Sequence, residues 1–114
     1  MPDLAFLQAF ADAWNRHDLD ALMAHMTEDA VFISSNGTRA TGAQAVRAAF
    51  ASVFEAFPDA SWNEDVHFVS GERGVSEWVF KGTDAEDGTV VEKRGCDILT
   101  FLNGKISVKD TYLK

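Results

Sequence analysis

Residues 96–112, CDILTFLNGKISVKDTY, decide the fold. Two β-prone runs flank Asn103-Gly104, the strongest short-range hairpin signal in a sequence. A two-residue turn there pairs Leu102 with Lys105, and every further pair keeps its residue numbers summing to 207. Phe101 then faces Ile106, Leu99 faces Val108, Asp97 faces Asp110 and Gly95 faces Tyr112. All lie on one face, because strand side chains alternate. Cys96, Ile98, Thr100 and Leu102 take the other face, with Lys105, Ser107, Lys109 and Thr111. The register predicts an apolar wall (Leu99, Phe101, Ile106, Val108) ending in two opposed carboxylates. Opposed Cβ atoms are only ~4.5–5.5 Å apart, so Asp97 and Asp110 are expected to share a proton near neutral pH. That arrangement suits general acid/base catalysis, with Tyr112 placed to donate to either carboxylate. A one-residue slip, or a bulge near Gly95, would separate the pair. It could also stand in solvent, or bond separate cations and amides.

Working outward, strands are expected over 62–70, 75–83, 89–102 and 105–113. They are joined by Gly71-Glu72-Arg73-Gly74, by 84–88 and by Asn103-Gly104. Short connections make neighbours antiparallel, so the second half reads as a meander. The long third strand is expected to bend or bulge at Gly95.

The first half reads as helices. Leu4, Leu7, Phe10, Ala11 and Trp14 recur at helical spacing. Asp18 is placed as N-cap of a second helix carrying Leu19, Leu22, Met23 and Met26 and ending at Thr27-Glu28-Asp29. Residues 30–34 form a strand closed by Asn36-Gly37. Thr41 and Gln44 suggest a capping box for a third helix with Val46, Ala49, Phe50, Val53, Phe54 and Phe57 on one stripe and Pro58 at its end. A stripe that wide needs a sheet to cover it. Helices followed by strands give an α+β fold rather than alternating βαβ units, in one domain spanning 1–114.

The 114 residues suit one core, and nine Phe and three Trp can fill it. The net charge of −8 disfavours nucleic acid, and its scattered acids read as a solvated surface. No apolar run approaches the ~20 residues of a membrane span. The first residues lack a secretory signal pattern. Cys96 is the lone cysteine, which fits a reducing cytoplasm. His17, His25 and His67 lack metal-ligand spacing, so no metal is expected. His67 is expected opposite Trp78, as an acid/base partner or a satisfied structural histidine.

In order and spacing, several strings are similar to the nuclear transport factor 2-like superfamily, and within it to the SnoaL-like and ketosteroid-isomerase-like small proteins. They are His17-Asp18-Leu19-Asp20-Ala21-Leu22, Glu28-Asp29-Ala30-Val31-Phe32, Thr41-Gly42, Gly82-Thr83 and residues 96–106. The resemblance implies a cone-shaped α+β barrel, three N-terminal helices packed on a strongly curved, mainly antiparallel sheet. An apolar cavity lies at the open end, and homodimers form through the outer sheet face. Members include isomerases, polyketide cyclases, dehydratases and epoxide hydrolases, and also binding or assembly modules without catalysis, so the fold does not choose a reaction. Aligned on the Asp18 region, the isomerases' ketone-polarising tyrosine falls at Phe10 and their base near Ser34, while their protonated aspartate falls on Asp97. The epoxide hydrolases' arginine and first aspartate fall on Trp78 and Phe80. The resulting expectation is a cofactor-free pocket for a small apolar organic molecule. Asp97 and Asp110 are its acid/base pair, and Phe10, Trp14, Phe32, Ser34, Phe50, His67, Trp78, Leu99 and Tyr112 line it. The alternative is a non-catalytic dimeric module of the same fold.

Overall fold

A computed structural model describes residues 2–114. The elements follow in the order α1 (Leu4–Asn15), α2 (Leu19–Ala24), β1 (Met26–Ile33), β2 (Arg39–Thr41), α3 (Ala43–Ala56), β3 (Ser61–Ser70), β4 (Arg73–Thr83), β5 (Val90–Leu102) and β6 (Lys105–Leu113). The strands form one six-stranded sheet, β2-β1-β6-β5-β4-β3, curled around the helices. The meander from β3 to β6 is antiparallel, and β1 joins β6 in parallel. The architecture is α+β with a mainly antiparallel sheet, as the sequence predicts.

The helix starts follow local chemistry. Asp3 caps α1 by accepting from Phe6 N at 2.9 Å, and Asp18 caps α2 by accepting from Ala21 N at 3.1 Å. The expected capping box of α3 does not form. Thr41 is paired with Val31 in β2, and the N-cap is Gly42, whose φ of 91° only glycine adopts readily. The second helix stops at Ala24, earlier than expected. Met26 instead opens β1, 3% exposed and paired with Ile106, and Thr27-Glu28-Asp29 continue that strand. Tertiary burial of one methionine overrides the local helical pattern there.

The helical stripes and the inner sheet face form one core. Leu7, Leu22, Val46, Phe50, Leu99 and Ile106 are its largest fully buried side chains, each stabilising the fold by about 1.5–3 kcal/mol. Leu99, Phe101 and Ile106 stand in this core beneath the helices, whereas Val108 lies on the outer face.

Two bulges set what the inner face carries. Between the pairs Thr100↔Val108 and Phe101↔Ile106, Ser107 is an extra residue on β6, and its Oγ donates to the Thr100 carbonyl at 3.2 Å. Beyond it the register moves by one. Asp97 therefore faces Thr111, Asp110 faces Ile98, and Gly95 faces Leu113. The expected opposition of Asp97 and Asp110 is thus corrected: the bulge puts the two carboxylates on opposite faces. Lys109, expected outside, turns inward and is 5% exposed. The second bulge lies between Asn63 and Val66, where Glu64 adopts φ 56°. It turns Asp65 and His67 toward the helices and leaves Val66 and Phe68 exposed. β5 pairs with β4 without interruption, so no bulge occurs at Gly95.

Candidate functional site

Beyond the packed core the inner face opens into a partly open cavity of about 360 Å³. That lies within the size range of small-molecule sites, roughly 300–1,000 Å³. Its walls come from α1 (Leu7, Phe10, Ala11, Trp14), from β1 and the residues after it (Phe32, Ser34, Ser35), from α3 (Val53) and from strands β3 to β6. Most of the lining is aromatic and apolar.

One polar row crosses this surface. His67 pairs with Ser76, Ser76 with Asp97, and Asp97 with Thr111, so four neighbouring strands each contribute one side chain. Asp97 is 6% exposed and takes three donors. Lys109 Nζ reaches Oδ1 at 2.9 Å, Thr111 Oγ1 donates to the same oxygen at 2.6 Å, and Trp78 Nε1 donates to Oδ2 at 3.1 Å. This donor set matches an acceptor-only carboxylate. Lys109 Nζ also donates to Thr111 Oγ1 at 2.9 Å and lies 4.8–5.7 Å from the ring centroids of Phe32, Trp14 and Phe50. The aromatic faces help hold the buried cation. The result is a desolvated ion pair at an apolar cavity, with one ammonium N–H not committed to Asp97 or Thr111.

The expected site residues separate into two groups. Phe10, Trp14, Phe32, Ser34, Trp78 and Asp97 line the cavity. Phe50 and Leu99 are packed in the core and do not reach it. Asp110 is on the outer face and accepts from Tyr112 Oη at 3.1 Å. That bond raises the Tyr112 phenol above its ordinary value, and Tyr112 is 52% exposed. Neither residue belongs to the cavity. His67 faces Ser76 rather than Trp78, because the β3–β4 turn is two residues, Gly71-Glu72. His17 and His25 bond the carbonyls of Ala60 and Ala21 at 2.8 Å and serve the fold.

Sequence reasoning missed Lys109, Thr111, Ser76 and Asp65. For Asp65 a signal existed: its i, i+2 spacing to His67 puts both on one strand face. Lys109 and Thr111 were hidden by the Ser107 bulge.

A family model of the SnoaL-like domain matches residues 7–108. The chain belongs to the SnoaL-like family. This SnoaL-like chain resembles solved structures over nearly its whole length. A candidate polyketide cyclase from Xanthomonas campestris is 24% identical, with 95% of this chain and 87% of that one covered and a TM-score of 0.85. A protein with a ketosteroid isomerase-like fold from Catenulispora acidiphila, in complex with trimethylamine, is 17% identical, with 97% and 86% covered and a TM-score of 0.86. TerC, co-crystallised with polyporic acid, is 14% identical, with 95% and 88% covered and a TM-score of 0.81. At these identities the likeness is one of fold. No curated protein matches the sequence.

Proposed function

We propose that the cavity binds a mostly apolar, ring-containing organic molecule through a carbonyl or enol oxygen, and that Lys109 polarises that oxygen as the electrophilic half of a cofactor-free isomerase or cyclase. One observation carries the reading: a buried ammonium at the cavity wall, held by Asp97 and Thr111 and ringed by aromatic faces. Burying two charges is costly, and a well-packed apolar pair would serve stability as well or better. The pair has a purpose if the free ammonium N–H meets an oxygen on which charge develops. In this role Asp97 and Thr111 position the lysine. Asp97 is not the base, because its oxygens are already engaged by three donors. The candidate cyclase and the polyporic acid complex among the similar folds agree with an oxygenated ring compound as ligand.

A hydroxynaphthoquinone titration read by tryptophan fluorescence tests the binding. Trp14 and Trp78 line the cavity, so saturable quenching is expected, weakened about tenfold or more by Lys109→Met. Absence of quenching in the wild type would sink the reading. The exposed Val66 and Phe68, 47% and 54% accessible on the outer side of β3, support a second copy of the chain against that sheet face. Sedimentation equilibrium should give a dimer mass, reduced by Phe68→Lys.

A further inference from the structure

The polar row contains a second hydrogen-bonded unit. His67 Nδ1 lies 2.8 Å from Ser76 Oγ, and Nε2 lies 2.9 Å from Asp65 Oδ2. A carboxylate can only accept, so it fixes a proton on Nε2 and leaves Nδ1 of the neutral ring to accept from the Ser76 hydroxyl. Gln8 Nε2 donates to the same Asp65 oxygen at 3.0 Å and also to Asp12 Oδ1 at 3.0 Å. Burial pushes the Asp65 carboxyl up, but the hydrogen bonds from His67 and Gln8 outweigh it, and the net shift is downward. The imidazole is only 7% exposed. Ser76 and Asp65 line the cavity, while the imidazole joins them from behind the wall. Ser76 is directly opposite Asp97, so the hydroxyl neighbours the Lys109 cluster. A hydroxyl backed by an imidazole that a carboxylate orients is the arrangement of an activated oxygen.

We infer that Ser76, backed by His67 and Asp65, is the proton acceptor of the cavity, which makes its ligand an enolisable carbonyl compound. The inference rests on the carbonyl-polarising reading above and supplies its missing base. Ser76 Oγ takes the carbon-bound proton as its own hydroxyl proton passes to His67 Nδ1. The C–H electron pair becomes the C=C bond of the enolate, and the carbonyl π pair moves to the oxygen held by Lys109. The imidazolium so formed faces Asp65. Return of the proton through Ser76 to a different carbon completes an isomerisation without any further reactant.

The test uses a nitrobenzisoxazole, a flat apolar bicycle opened by loss of one C–H proton. The C–H pair forms the nitrile, the N–O bond breaks, and the coloured phenolate leaves. The wild-type protein should open it faster than buffer does. Ser76→Ala and His67→Gln should each lower kcat by roughly 10²-fold with KM little changed, and added imidazole should restore part of the rate to His67→Ala. Asp110→Asn, on the outer face, should keep the wild-type rate. Full kcat in the Ser76 and His67 variants, or loss confined to Asp97→Asn, overturns the assignment. So does a wild-type protein that quenches its tryptophans on binding the probe but does not open it. No quenching with either this probe or the hydroxynaphthoquinone instead overturns the pocket reading on which the assignment rests.

Discussion

Gly95 stands directly opposite Trp78 on the neighbouring strand, and the indole covers it. A Cβ built on Gly95 would lie 2.7 Å from two atoms of that ring and 2.5 Å from the Tyr112 carbonyl oxygen. Only a residue without a side chain lets the indole lie there with its Nε1 on Asp97 Oδ2. The glycine therefore serves the polar cluster through a neighbour rather than through its own backbone freedom.

Gly95→Ala is accordingly expected to destabilise the protein by about 1–3 kcal/mol, the range for overpacking a filled site. The backbone oxygen cannot step aside, so the indole or the strand must move. Urea denaturation gives the stability change. A shift of the tryptophan emission in the folded variant should accompany it. Unchanged stability with unchanged emission would show that the site is looser than the geometry implies.

Lys109→Met keeps much of the side-chain volume and removes the charge. Asp97 then stays buried without its cation, which should cost about 3–5 kcal/mol. Adding Asp97→Asn to the same protein removes the stranded charge and should recover a large part of the loss. Denaturation midpoints for the wild type, both single variants and the double variant give the coupling. Strictly additive losses would mean that the two groups do not act as a pair.

The sequence makes the helical stripes and the β3–β6 meander legible because both rest on periodicity and on turn residues. Leu99, Phe101 and Ile106 fall where the hairpin puts them, since they lie within one step of the bulge or on the uninterrupted β5. The site is legible only in part. Asp97 sits on β5, whose alternation is never broken, and Phe10, Trp14, Phe32 and Trp78 follow simple periods. Asp110 and Lys109 lie past Ser107, which nothing in the composition marks as a bulge residue. A single inserted residue inverts every side chain after it, so this one event turned Lys109 inward and Asp110 outward. The sequence already puts His67 on the pocket face with Trp78, and Asp65 shares that face by its i, i+2 spacing; the two-residue β3–β4 turn changes only the cross-strand partner of His67, to Ser76. The parallel pairing of β1 with β6 is a long-range contact that no local pattern announces.

The loop after α3 is fastened by one carboxylate. Asp59 Oδ1 accepts from Thr83 N and Oδ2 from Thr83 Oγ1, both at 2.7 Å. The backbone bond first, and the hydroxyl bond second, hold the Asp59 carboxyl below its ordinary value of 3.8. A lowered folded-state value means that the stabilisation is complete above about pH 3.8 and is lost as pH falls through the folded value. Asp59→Asn should therefore be less stable than the wild type near neutral pH, with the gap closing in stronger acid. Thermal melts from pH 7 to pH 2 measure it. A gap independent of pH would show that the carboxylate charge plays no part.

Ser107 tests how the site is built. It is the extra residue of β6, standing between Ile106, which faces Phe101, and Val108, which faces Thr100. Deleting it joins Ile106 directly to Val108 and leaves an uninterrupted ladder in which Lys109 still faces Leu99 and Asp97 still faces Thr111. The deletion loses the Ser107 bond to the Thr100 carbonyl and the local bend of the bulge, but not the inward face of Lys109. The shortened protein should therefore fold and still bind the hydroxynaphthoquinone. Lys109→Met should cost about as much in it as in the full-length chain, about 3–5 kcal/mol. Urea denaturation of the deletion variant with and without Lys109→Met measures this. If the deletion folds but Lys109→Met then costs nothing, the strand has re-paired and the register does not hold Lys109 at the cavity.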